Sequence, residues 1–121
     1  MTLIDANVIL RYLLEDHAEM RDRAEAMIES GECFTLPEVI AEVVYVLSSY
    51  YQVERAVIRD TLVKLFKKVS VDHPEVMEAA LDYYADRNVD FVDGILIARA
   101  KLLGETVFTF DKRVNKLISI K

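Results

Sequence analysis

Two rhythms of apolar residues alternate along the chain, and they predict strands alternating with helices. Thr2-Leu3-Ile4 is a short apolar run that stops at Asp5 and predicts a first buried strand. Val8, Ile9, Leu10, Tyr12, Leu13 and Leu14 then predict a short, largely buried helix, broken at Glu15-Asp16-His17. Asp16 and Glu19 have the spacing of a capping box. A second helix follows to about residue 29, with Met20, Ala24, Met27 and Ile28 on one face, and Ser30-Gly31 stops it. Residues 33–36 predict a second strand. Pro37 suits the first turn of a third helix, which runs to about residue 50 with Val39, Ile40, Val43, Val44 and Leu47 inward. A fourth helix is predicted over 55–67, with Val57, Ile58, Leu62, Leu65 and Phe66 inward, and a third strand over 69–71. Pro74 opens a fifth helix to about residue 87. Residues 92–103 are apolar nearly all round, which predicts a sixth helix buried in the core and ended by Gly104. Residues 106–110 predict a fourth strand, 112–116 a turn of helix, and 117–120 an edge strand.

Strands separated by helices imply a mostly parallel sheet covered on both faces. The expected architecture is α/β: three layers, α/β/α, around a roughly five-stranded sheet. With 121 residues, no internal repeat and no linker-like stretch, one domain spanning 1–121 is expected.

Composition narrows the class. Apolar residues make up 53% of the chain, so a full core can form and disorder is not expected. The single cysteine, Cys33, has no internal disulfide partner, which suits a reducing cytoplasm. No basic-then-apolar leader and no 18-residue apolar run occurs, so neither a signal peptide nor a membrane span is expected. The net charge of −6 argues against a broad basic face that holds nucleic acid by counterion release. It leaves room for an enzyme that meets phosphates through metal ions.

Four acids stand out by position. Asp5 ends the first strand, Glu42 rides the edge of the third helix's apolar face, Asp93 lies in the first turn of the sixth helix, and Asp111 follows the fourth strand. In a parallel sheet the ends of strands one and four share the carboxyl edge, where open α/β sheets place ligands. Carboxylates gathered there repel; a pair ~4 Å apart costs about 4 kcal/mol at an effective dielectric of ~20. Such a cluster takes up protons or a cation, and an all-oxygen donor set selects Mg²⁺ or Mn²⁺. Each acid also has an ordinary use: Asp5 or Asp93 as a helix cap, Asp111 as a turn residue, Glu42 as half of a solvated Glu38/Glu42 face.

Asp5-Ala6-Asn7, Pro37-Glu38-Val39-Ile40-Ala41-Glu42-Val43, Asp90-Phe91-Val92-Asp93-Gly94-Ile95-Leu96-Ile97-Ala98 and Thr109-Phe110-Asp111 resemble the successive motifs of PIN domains. The nearest likeness is to the VapC-type toxins of prokaryotic toxin–antitoxin pairs, and it covers essentially the whole chain. The resemblance implies an endoribonuclease dependent on Mg²⁺ or Mn²⁺, with the first strand in the middle of the sheet. It implies Asp5, Glu42, Asp93 and Asp111 as catalytic and metal-binding residues, supported by Asn7, Thr109 and Asp90. It further implies RNA as substrate, products with 5′-phosphate and 3′-hydroxyl ends, a cognate antitoxin as partner, and a homodimer. Two positions depart from the family's habit: Gly94, where Ala is common, and Arg99, where small residues are usual.

Arg87, Lys112 and Arg113 flank the acidic motifs and are candidate RNA contacts, with solvated charge as the plain alternative. Tyr45, Tyr50 and Tyr51 are read as core side chains, with a partner surface as the alternative. His17 and His73 are read as surface or capping residues. Two other functions stay open: a catalytically silent PIN-like binding or scaffold module, and a haloacid-dehalogenase-like phosphatase. The second wants an acid two residues after the first, where this chain has Asn7.

Overall fold

A computed structural model describes residues 1–120. The chain divides into two compact units, residues 1–72 and 73–121.

The first unit holds a parallel three-stranded sheet in the order β1-β2-β3, built from β1 (Thr2–Leu3), β2 (Cys33–Thr35) and β3 (Val69–Val71). Thr2 pairs with Cys33, and Cys33 with Val69. Parallel strands need long crossovers. The first is α1 (Ala6–Leu14) and α2 (Ala18–Glu29); the second is α3 (Pro37–Tyr45), a π-helical turn (Val46–Tyr50) and α4 (Arg55–Leu65). Ile9, Ile28, Ile40, Val43, Ile58, Leu62 and Val69 are fully buried, at the spacings that the apolar pattern marks out. Cys33 is buried in β2, and that burial pushes its thiol above the ordinary cysteine range. An uncharged thiol is a packing group, not a nucleophile. At the surface, Glu29 accepts from the Tyr12 hydroxyl at 2.6 Å and from Lys68 Nζ at 2.6 Å. That carboxylate ties the face of α1 to the end of α2 and to the turn leading into β3.

The second unit is helical: α5 (Pro74–Asp86), α6 (Phe91–Leu103) and α7 (Lys112–Ser119). α5 packs on α6 and α6 on α7. Val89, Ile97, Val114 and Leu117 bury together, with Tyr83 and Ile118 against them. Gly104, at φ 68°, ends α6 in the left-handed region that glycine enters without steric penalty.

The α/β class and the parallel sheet are as expected; several details differ. Among the described residues, 106–110 form no strand. A β-rich sequence becomes a strand only against a neighbouring backbone, and this one has none. β1 therefore lies at an edge of the sheet rather than in its middle. The expected strand at 117–120 is instead the second half of α7. Val114, Leu117 and Ile118 stand three and four residues apart, so a helix brings all three onto the Ile97 cluster. The Asp16 capping box does not form. Asp16 accepts from Arg11 Nη1 at 2.9 Å, and His17 takes the N-cap position at φ 53° with no side-chain cap bond. His73 does the same before α5, at φ 47°. α6 is not buried all round, since Val92 and Leu102 are exposed; Val57 and Met20, expected inward, are exposed too.

Candidate functional site

Each predicted acid has a defined local setting. In the first unit Asp5 follows β1 and is the N-cap of α1, its Oδ1 accepting from the Val8 amide at 3.0 Å. The ordinary reading of Asp5 is thus realised. It still leaves the second carboxylate oxygen without a protein partner among the described residues. The backbone that delivers Asp5 is held on both sides: the Ile4 amide donates to the Phe34 carbonyl at 2.9 Å, and the Ile4 carbonyl accepts from Thr35 Oγ1 at 2.9 Å. Thr35 is the buried polar side chain of the core, and sequence reading passed it over as one more strand residue. The available signal was a hydroxyl placed between apolar neighbours at a strand's end.

Thr35→Val should therefore cost more than its change in shape implies. It strips a buried carbonyl of its donor, a loss of about 1–3 kcal/mol. Chemical denaturation should show a lower midpoint with an unchanged slope.

Glu42 lies exposed on α3, and Asn7 exposed in the first turn of α1 with no side-chain hydrogen bond. Asp5 and Asn7 line an open groove of about 660 Å³ on the first unit, whose walls include Leu3, Val8, Met27 and Val39. Glu42 is not part of that lining.

In the second unit three acids come within electrostatic range of one another. Burial first, then the charges of Asp90 and Asp111, push the half-buried Asp93 carboxyl above the usual range. Asp93 lies in the first turn of α6, and Asp90 occupies its N-cap position with no side-chain cap bond. Asp111 does not end a strand. It caps α7, with Oδ1 accepting from the amides of Arg113 (2.9 Å) and Val114 (3.0 Å). Thr109 sets that turn: its Oγ1 accepts from the Asp111 amide at 3.1 Å, and its carbonyl accepts from Asn115 Nδ2 at 3.0 Å. Asp111, like Asp5, keeps one carboxylate oxygen without a protein partner among the described residues.

Of the basic candidates, Arg113 donates to the Arg87 carbonyl, so its guanidinium is partly committed to structure. Lys112 is exposed. Arg99 is a bidentate partner of Glu105, with contacts of 2.5 and 2.7 Å, which accounts for an arginine on α6.

Among the described residues, no three His, Cys, Asp or Glu side chains stand close enough together to hold a metal ion. The donor chemistry nonetheless suits a hard divalent cation. The side chains are carboxylates, two keep an oxygen free, and Asp93 sits in a field that a cation would relieve.

A family model described as PIN domain matches residues 2–118. No curated protein and no solved structure matches the chain.

Proposed function

The chain belongs to the PIN-domain family, a metal-dependent nuclease fold, and on that footing we propose that it is an endoribonuclease using Mg²⁺ or Mn²⁺. The observation that carries this reading is that all four acids of the motifs are present within the matched span, at Asp5, Glu42, Asp93 and Asp111. These residues would hold the ion, with Asp90, Asn7 and Thr109 supporting them. Bound there, the ion would supply Lewis acidity toward a water and a phosphodiester oxygen. The chain's own contribution is orientation. The caps on α1 and α7 fix one oxygen each of Asp5 and Asp111, and Thr109 fixes the turn that presents Asp111. Attack by water needs no ribose 2′-OH, so selectivity for RNA rests on shape and contacts.

We place the protein as the toxin of a type II toxin–antitoxin pair, acting as a homodimer in the cytoplasm. The likeness of the motifs to VapC-type toxins supports this. A net charge of −6 suits an antitoxin with a basic tail. Among the described residues no helix is long and apolar enough to cross a membrane. A silent scaffold is disfavoured because none of the four acids is missing.

The test is direct. Purified protein with Mn²⁺ should cut structured RNA and leave 5′-phosphate ends, and EDTA should stop it. Asp5→Ala should remove the activity with the circular-dichroism spectrum unchanged. Cutting by Asp5→Ala at the wild-type rate, or cutting in EDTA, overturns the assignment.

A further inference from the structure

The three tyrosines assigned to the core are on the surface. Tyr45 is 68% exposed, Tyr50 82% and Tyr51 44%. A single exposed aromatic needs no explanation, but a group of three does. Their positions relative to Glu42 supply one. Glu38, Glu42 and Tyr45 stand four and three residues apart on α3, so they share one face, and all three are exposed. Beyond Tyr45 an α-helix would turn residue 50 away, since residues five apart lie about 140° apart around its axis. The helix does not continue as α. The Tyr51 amide donates to the Val46 carbonyl at 3.2 Å, an i→i+5 bond that closes the π turn. That wider turn brings Tyr50 back toward the side of Tyr45, and Tyr50 meets Tyr51 with ring centroids 5.7 Å apart. π turns of this kind are uncommon and recur at functional sites.

We propose that Tyr45, extended by Tyr50, is a stacking platform for unpaired RNA bases beside the position of Glu42. The inference rests on the nuclease reading and names how its substrate is gripped. Charge favours RNA bases as the occupant. The chain carries 15 Lys and Arg against 21 Asp and Glu, so phosphate neutralisation cannot supply most of the affinity. Stacking on an aromatic face does not depend on net charge and accepts any base. Tyr45 is a substrate-positioning residue in this scheme and takes no part in bond breaking.

The experiment uses full-length protein in an Asp93→Asn background, so that RNA stays intact, and a single-stranded oligoribonucleotide containing 2-aminopurine. Stacking should quench the 2-aminopurine fluorescence. Tyr45→Ala and Tyr45→Leu should each weaken binding about tenfold or more and reduce the quench. Tyr45→Phe should retain both. The salt dependence of the remaining affinity should be shallow. Wild-type affinity and quenching in Tyr45→Leu would overturn the proposal, because apolar area without a π face would then suffice. A change from dimer to monomer on sedimentation of Tyr45→Ala would also overturn it, making the patch a contact between copies. Quenching by a protein that never cuts RNA with Mn²⁺ would leave the platform standing and remove the nuclease assignment instead.

Discussion

Asp93→Asn should abolish Mn²⁺-dependent RNA cutting and, at neutral pH, raise the melting temperature. The loss of activity follows from removing a carboxylate assigned to the metal. It should exceed the roughly 10–100-fold penalty seen when only an outer-shell partner is lost. The gain in stability follows from the field around the residue. Burial and the charges of Asp90 and Asp111 raise the folded-state pKa of Asp93 above its unfolded value. The folded chain therefore holds this proton more tightly than the unfolded chain. Below the unfolded pKa both states are protonated and nothing is lost. As pH rises through the unfolded value and past the raised folded value, the native state loses stability, and the penalty is complete above the folded pKa. An amide carries no such penalty, so the thermal advantage of Asp93→Asn should be present at pH 7 and vanish near pH 3. Mn²⁺ should narrow the difference by raising the wild-type melting temperature through binding to the native state. Calorimetry at both pH values, with and without Mn²⁺, reads all of these outcomes. Equal melting temperatures for the two proteins at pH 7 without metal would show that Asp93 is not strained.

Gly94→Ala should destabilise the fold, although alanine is the better helix former by about 1 kcal/mol. A Cβ built on Gly94 would lie 2.7 Å from the Ala80 carbonyl oxygen, with the Ala80 Cα and carbonyl carbon at 3.2 and 3.3 Å. All three atoms are backbone, so no side chain can swing away, and α5 itself must move. Overpacking of this kind costs typically about 1–3 kcal/mol, enough to outweigh the propensity gain. Ala80→Gly should not rescue it, because the clash is with main-chain atoms. Urea unfolding of the single and double variants decides the matter, and a Gly94→Ala protein more stable than wild type would mean that the helices part readily.

Local patterns carried most of the reading. The three strands of the first unit, the helices and the caps at Asp5 and Asp111 follow from periodicity and short-range hydrogen bonding, which a sequence displays directly. Gly94 marked a departure from its relatives' habit, but only the nearness of the Ala80 backbone shows what the glycine is for. The misreadings share one physical cause. Residues 106–110 have the composition of a strand, and composition says nothing about whether a partner strand is present. Leu117 and Ile118 belong to a helical period that becomes visible only when Val114 is counted with them. Asp16 and Glu19 had capping-box spacing, but Arg11 competed for the carboxylate. The π turn is a matter of one hydrogen bond, and the tyrosines before and after it read as core because side chains of their type usually are. The candidate site was legible as a set of acids at motif positions. Their electrostatic company was not, since only the fold brings Asp90 and Asp111 to bear on Asp93.

The π turn also has a genetic meaning. It holds one residue more than an α-helical turn would, so it behaves as a single-residue insertion tolerated inside a helix. Losing one codon between residues 46 and 50 would restore an ordinary helix and rotate the downstream residues by about 100°. The reading frame and the apolar composition would survive such a deletion, yet Tyr50 would face a new direction. A lineage could alter which surface its aromatic side chains serve here by adding or dropping one amino acid, with no substitution at all.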